Sequence, residues 1–264
     1  MNLNLKNKVV VVTGGSKGIG LAIVRGFAAE GASVVAGSRT VSPELLALQA
    51  EFDVIPVAVD LAHPDGPGEL VQAALDAHGG IDILINNVGS GAPTPSIIAV
   101  EDAEWQRIFD INLFSAIRAT RAAMPSIVTR GAGAVVTISS LNSHLPAASL
   151  VHYSASKAAL SSYSKALAEE FGPQGVRVNT VSPGPVRTPM WTAPGQFADM
   201  MAAGAGTTAE AFMDEVLPAA MAITTGRVSE SHEIADLVLF LSSDRAANIM
   251  GADYVIDGGM HKSI

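Results

Sequence analysis

Tyr153 and Lys157 stand four residues apart in the stretch Tyr153-Ser154-Ala155-Ser156-Lys157. On a helix that spacing stacks both side chains on one face. A free phenol titrates near pH ~10 and is a poor base in neutral water. A neighbouring ammonium favours the phenolate, so Lys157 is expected to draw the phenol down towards working pH. Ser140 precedes Tyr153 by 13 residues (153 − 140), at the end of the apolar run Val135-Val136-Thr137-Ile138-Ser139-Ser140. A strand end followed by a helix can therefore bring a hydroxyl donor, a phenol and an ammonium around one small substrate oxygen. The same YxxxK spacing also occurs as a surface aromatic beside a solvated lysine, so the rest of the chain has to discriminate.

The elements that must position these groups are legible as alternation. Lys8 to Thr13 is a β-branched run, apolar on both faces, as in a parallel sheet covered by helices. It enters Gly14-Gly15-Ser16-Lys17-Gly18-Ile19-Gly20 and then a helical pattern, Leu21 to Glu30. Strand, glycine-rich turn and helix present free backbone N–H groups and a helix N-terminus to a phosphate. The glycines at 14, 18 and 20 give GxxxGxG, which differs from both GxGxxG and the triphosphate P-loop. An ordinary βα turn remains an alternative at this point.

A second strand, Ser33 to Gly37, ends at Ser38, Arg39 and Thr40. An acid in this place bonds the adenosine ribose of NAD, whereas an arginine accommodates the extra phosphate of NADP. Arg39 and Lys17, with no carboxylate at the strand end, favour NADP(H) over NAD(H). The spacing goes on to predict a helix from about 43 to 51, a strand over 54–59 ending in Asp60-Leu61, and a helix over 64–78. A strand over 81–85 ends in Asn86-Asn87-Val88-Gly89. One long helical stretch covers 101–129, with Asn112 inside it and Pro125 breaking its regularity. There follow a strand over 134–139, a helix to about 171, and a strand over 176–181 ending in Ser182-Pro183-Gly184. A final helix over 231–241 and a strand over 254–257 close the chain. Repeated strand–helix alternation predicts an α/β parallel sheet with helices on both faces. The polar strand ends collect at the sheet's carboxyl edge, where ligands bind in such folds. No repeat or polar linker divides residues 1–264, so one domain is expected.

Composition narrows the class. The 264 residues are 48% hydrophobic and 16% charged, ample for a core and unlike a disordered chain. The net charge of −9 and the lack of a basic run argue against nucleic acid. There are no cysteines, which removes disulfides, thiolate metal sites and cysteine nucleophiles. The N-terminus has no signal-peptide pattern, and the longest apolar runs fall far short of the roughly 18 residues a membrane span needs. A cytoplasmic protein is expected, with neither nucleic acid nor membrane as partner. His63, His78, His144, His152, His232 and His261 show no metal-ligand spacing, so no metal is expected. Each reads first as a surface or partly buried histidine; His144 and His152 flank the loop after Ser140 and are the two candidates to touch substrate, as the lesser alternative.

Taken together, the chain resembles the short-chain dehydrogenase/reductase family in its compact single-domain branch. The resemblance rests on TGGSKGIG at 13–20, Asp60, NNVG at 86–89, Asn112, Ser140, YSASK at 153–157, PGPVRT at 183–188 and Asp257-Gly258-Gly259. NNVG departs from the commoner NNAG. The resemblance implies a Rossmann-type doubly wound sheet and a catalytic tetrad of Asn112, Ser140, Tyr153 and Lys157. Tyr153 would be the acid/base, Ser140 would polarise the carbonyl, Lys157 would also bond the nicotinamide ribose, and Asn112 would hold a water linking Lys157 to solvent. It further implies cofactor contacts from Gly14, Ser16, Lys17, Gly18, Ile19 and Gly20, from Asp60, Leu61, Asn87 and Gly89, and from Pro183, Gly184, Val186 and Thr188. The activity implied is hydride transfer between NADP(H) and a ketone or secondary alcohol.

The segment from about 185 to 226 matches the family's substrate lid. Met190, Trp191, Phe197, Met200, Met201, Phe212, Met213, Leu217 and Met221 suit an apolar carbonyl or alcohol, or serve equally as packing or an oligomer contact. Arg187 is the one candidate anion clamp there, and Gly195, Gly204 and Gly206 suggest mobility. The helices over 101–129 and 151–171 match the family's dimer surface, so a homodimer or homotetramer is expected. A catalytically silent NADP(H)-sensing regulator on the same fold is the competing reading. Retention of all four tetrad residues weighs against it.

Overall fold

A computed structural model describes residues 1–263. In chain order the elements are β1 (Val9–Thr13), α1 (Gly18–Ala29), β2 (Ser33–Ser38), α2 (Pro43–Glu51), β3 (Val54–Ala58), α3 (Gly66–His78) and β4 (Ile83–Asn86). Next come α4 (Asp102–Phe109), α5 (Ser115–Thr129), β5 (Gly133–Ile138), α6 (Val151–Phe171) and β6 (Val176–Pro183). The short β7 (Val186–Arg187) leads into α7 (Pro189–Thr192), α8 (Phe197–Ala205), α9 (Ala209–Ala211) and α10 (Leu217–Ala220). The chain closes with β8 (Ser229–Glu230), α11 (Ser231–Ser242) and β9 (Asp253–Ile256).

Seven strands form one parallel sheet in the order β3-β2-β1-β4-β5-β6-β9. Successive strand residues point to opposite faces, and the valine-rich runs supply apolar side chains to both. Val10, Val12, Val34, Ile85 and Val136 pack with Ile23, Val24 and Phe27 of α1 and with Ile234 and Val238 of α11. Val11, Val35, Leu84, Val135 and Val178 pack on the other face with Leu70 of α3, Ala123 and Ile127 of α5, and Leu167 of α6. The result is the expected doubly wound sheet, its order reversing between β1 and β4. That reversal opens a crevice at the carboxyl ends of the two strands.

Two local features depart from the sequence expectation. The stretch 101–129 is not one helix interrupted at Pro125. Pro125 lies inside α5, which continues to Thr129, and the irregularity is a π-helical turn at Asp110–Phe114 centred on Asn112. A proline removes one backbone donor, but packing of Ala119, Ala123 and Ile127 on the sheet holds the helix through it. The helix after the glycine turn also starts three residues earlier than the apolar pattern indicates, at Gly18. The glycines of the turn are thus partly helical, which the hydrophobic period cannot register.

The glycine turn is tight. A Cβ on Gly20 would stand 2.1 Å from the Gly14 carbonyl oxygen and 2.5 Å from Asn87 Nδ2, whereas one on Gly68 would meet nothing within 4 Å. Gly20→Ala is therefore expected to destabilise the chain by about 1–3 kcal/mol through overpacking. Gly68→Ala, in α3, should be neutral or gain about 0.5 kcal/mol from helix propensity. Urea unfolding of the two variants checks the contrast; equal stabilities would contradict the geometry of the turn.

Candidate active site

The crevice is built first from β1, its turn and α1. Lys17 caps α1 with no side-chain hydrogen bond, and no acid sits in the first turn. The helix therefore offers free N–H groups and its positive end to an anion. Gly14 takes a positive φ of 73°. Gly18 lets Thr188 approach, since a Cβ there would lie 3.3 Å from the Thr188 side chain. Ile19 is half-buried against the core. Ser16 is buried, and its hydroxyl is already committed: it donates to Thr40 O at 2.7 Å and accepts from Ser42 N at 2.8 Å. Ser38 Oγ donates to the same Thr40 carbonyl at 3.0 Å. These bonds fasten the end of β2 to the glycine turn. Arg39 and Lys17 are both exposed, and among the described residues neither has a salt-bridge partner. Asp60 is exposed at the end of β3, accepting from Ala62 N at 3.0 Å, and Leu61 beside it is buried.

The other wall is the end of β4. Thr13, not singled out above as a contact, is its hub. Its hydroxyl donates to Ile85 O at 3.2 Å and accepts from Asn87 N at 2.9 Å and Val88 N at 3.1 Å. Asn87 Nδ2 donates to Thr13 O at 2.8 Å and Gly14 O at 3.1 Å. Both side chains therefore zip the crevice at its base. Gly89 passes so close that a Cβ would lie 3.2 Å from Lys157 Nζ.

The four tetrad residues converge. Ser140 sits just past β5, and its Oγ accepts from Asn142 N at 3.2 Å and lies in hydrogen-bonding reach of the Tyr153 phenol. Tyr153 and Lys157 lie on α6, with Nζ 5.9 Å from the phenol ring centre. Lys157 is only 2% exposed, and Nζ donates to Ile138 O at 2.8 Å. Burial draws its pKa down from 10.5 to about 8. Tyr153 does not follow the expectation of a phenol made acidic by Lys157. Burial raises its pKa, and hydrogen bonding with Ser140 only partly offsets this. The physical reason is loss of solvent around the phenol, which disfavours the phenolate, while the Lys157 ammonium is directed at a carbonyl of β5. Asn112 is fully buried, with its side-chain amide bonded to both backbone groups of Ser90.

The fourth side is the end of β6. Pro183 is buried, and Gly184 packs on Asp257, where a Cβ would come within 2.8 Å of that residue's Cβ. Val186 is buried in β7, and Thr188 precedes α7 with its hydroxyl uncommitted to capping. Arg187 does not stand ready as an anion clamp. Its guanidinium pairs with Asp214 and, at 3.1 Å, with Glu230. Phe212, Met213 and Leu217 are buried together with Ala198 and Ala202 in a small core of their own, and Trp191 and Met221 pack against it. Trp191 and Phe197 rings lie 5.3 Å apart. Met190, Met200 and Met201 are exposed. Gly195 and Gly206 form left-handed turns, whereas Gly204 lies within α8. Neither histidine flanking the Ser140 loop is aimed at the phenol. His144 Nε2 is 2.9 Å from Asp253, and His152 is buried beside Trp105, 3.5 Å from Glu104.

The chain fits a dinucleotide on its own geometry: an uncapped helix start, a turn with no room for a Cβ at Gly20, and two unpaired cations at its rim. Its chemistry is that of a hydroxyl donor and a proton-bearing phenol beside a buried ammonium. The comparisons agree. The family model described as short chain dehydrogenase matches residues 8–198. A 3-alpha-(or 20-beta)-hydroxysteroid dehydrogenase of Mycobacterium bovis is 33% identical over 98% of this chain and 91% of its own. Human dehydrogenase/reductase SDR family member 4 is 34% identical over 97% and 88%. Among solved structures, L-sorbose reductase from Gluconobacter frateurii, complexed with NADPH and L-sorbose, superposes with a TM-score of 0.93 at 34% identity, covering all of both chains. With motif, sheet order and convergent side chains in agreement with a match over most of its length, the chain belongs to the short-chain dehydrogenase/reductase family of oxidoreductases acting on CH–OH groups.

Proposed function

We propose that this chain is an NADP(H)-dependent oxidoreductase for an uncharged, apolar ketone and its secondary alcohol. The observation that carries the cofactor choice is Arg39, exposed at the end of β2 beside the Lys17 turn, with no carboxylate at that strand end. The bound nicotinamide supplies or accepts the hydride. Gly14, Gly18, Ile19 and Gly20 form the diphosphate turn. Asp60 and Leu61 flank the adenine, Asn87 and Gly89 the adenosine ribose side, and Pro183, Gly184, Val186 and Thr188 the nicotinamide side. Ser16, Ser38 and Thr40 hold the Arg39 loop in place.

In reduction, Ser140 Oγ donates to the substrate carbonyl oxygen. Tyr153, which burial keeps protonated at neutral pH, gives its proton to that oxygen. Lys157 remains largely charged below pH ~8 and stabilises the phenolate left behind. In oxidation the proton returns from the alcohol to Tyr153.

The relatives named above span steroid and sugar substrates, so the substrate class is argued from this chain's own loops. Ile97 and Ile98 after β4, Leu145 after Ser140 and Met190 after Thr188 are exposed apolar side chains on the segments that follow β4, Ser140 and Thr188. They support an apolar substrate under a lid of about 185–226, with Arg187 closing its base rather than binding an anion. No helix among the described residues is long and apolar enough to cross a membrane. A cytoplasmic homodimer or homotetramer is the assembly we favour, supported by the aromatic face of Trp105, Phe109 and Phe114 over α4 and the π-helical turn.

Three outcomes test this reading. Tyr153→Phe should lower ketone reduction with NADPH at least a thousandfold while NADPH affinity, read by fluorescence titration, stays within about threefold. Near-normal turnover would reject the mechanism, and a wild type inert to a broad ketone panel would favour the regulator. Arg39→Asp should shift the NADPH/NADH preference towards NADH by about tenfold or more. An unchanged ratio would leave the arginine without a phosphate to meet. The rate of reduction should hold level at neutral pH and fall as pH rises through about 8, where Lys157 loses its proton. A profile flat into the alkaline range would give the ammonium no part in the reaction.

A further inference from the structure

Ser156 lies between the two catalytic side chains of α6 and is fully buried. Its Oγ donates to Tyr153 O at 2.7 Å and accepts from Asn112 Nδ2 at 2.9 Å. The second Nδ2 proton of Asn112 goes to Ser90 O at 2.9 Å, and Asn112 Oδ1 accepts from Ser90 N at 2.8 Å. Every hydrogen-bonding group that orients the amide is thus spoken for, and among the described residues the only side chain that partners it is Ser156. Ser90 sits between two glycines that pass close to the reacting groups. A Cβ on Gly89 would lie 3.2 Å from Lys157 Nζ, and one on Gly91 would lie 2.8 Å from Tyr153 Cδ2.

We propose that Ser156 is a positioning residue that fastens the Gly89–Gly91 loop over Tyr153 and Lys157 by fixing the Asn112 amide. The chain of contacts closes on itself. The helix that bears the phenol and the ammonium also bears the hydroxyl that sets the π-helical turn, and that turn holds the loop packed on both. Without the hydroxyl, one buried Asn112 N–H has no partner, and an unsatisfied buried donor is costly enough to turn the amide. The Ser90 backbone then loses its paired bonds and the loop lifts. The α1 turn and the Arg39 rim are built from other elements and stay as they are. This consequence for turnover rests on the reductase reading above; the consequence for the loop does not.

The experiment compares wild type, Ser156→Ala and Ser156→Thr by amide hydrogen exchange and by steady-state kinetics. The Ser90 amide should exchange about tenfold faster in Ser156→Ala than in wild type. The Asn87 amide, bonded to Thr13 Oγ1, should not change. With NADPH and the best ketone of the panel, kcat should fall about tenfold with the KM for NADPH within about threefold. Ser156→Thr, which keeps the hydroxyl, should restore both readouts to within about threefold of wild type. Unchanged Ser90 exchange in Ser156→Ala overturns the proposal. So does an equal loss in the alanine and threonine variants, or uniformly faster exchange at Ser90 and Asn87 alike. Should the alanine variant not fold, Ser156→Cys, a weak donor and acceptor, takes its place under the same criteria. A wild type that reduces no ketone removes the reductase reading but leaves the exchange measurement to decide the role of Ser156.

Discussion

The bond from Lys157 Nζ to Ile138 O is the constraint on which the site depends. An ammonium taken out of water needs a partner of fixed geometry, and a carbonyl at the end of a central strand provides one. That bond seats α6 on β5, and other polar groups line the same seam. Ser139 Oγ meets Ser161 Oγ at 2.7 Å and Lys157 O at 3.2 Å, and Ser164 Oγ donates to Thr137 Oγ1 at 2.8 Å. A helix packed on a sheet by apolar contacts alone can slide. Directional bonds between buried hydroxyls set its register, and with it the height of Tyr153 above Ser140.

The sheet contributes the complementary constraint. Because β1 and β4 are neighbours while their following segments diverge, the crevice between their ends cannot be filled by either connection. Thr13 and Asn87 satisfy the backbone groups at its floor and leave the α1 N–H groups facing outward. The glycine turn and the Ser140, Tyr153 and Lys157 side chains therefore share one edge, since the strands that carry them run in one direction. Electrostatics divides along that edge: exposed cations at the β2 end, and a buried cation under the phenol. The overall charge of −9 makes these local positive groups the ones available to an anionic ligand.

The pKa directions bear on how the site works. Burial acts on Tyr153 and Lys157 in opposite senses, raising the acid and lowering the ammonium. Both shifts disfavour the charged form. In the chain alone the phenol thus keeps its proton at neutral pH. Spacing in sequence put the two groups on one face of a helix, and that much held. It did not report that the ammonium turns to Ile138, because a carbonyl of another element is invisible to a helical period.

By itself the sequence determined the alternation of strands and helices, the two-faced apolar strands, the glycine turn ahead of α1 and the placement of the polar groups at one sheet edge. These follow from local periodicity and from residues whose backbone preferences are intrinsic. Tertiary structure alone decided which of the candidate groups remain available. The Ser16 hydroxyl is spent on Thr40 and Ser42 and Arg187 on Asp214 and Glu230, the Asn87 amide nitrogen holds Thr13 and Gly14, and Arg39 and Lys17 stay exposed. It also moved the helix irregularity from Pro125 to Asn112 and set the direction of the Tyr153 shift. Each of these rests on a hydrogen bond, an ion pair or a loss of solvent between residues far apart in the chain, and such contacts form only when the elements are packed.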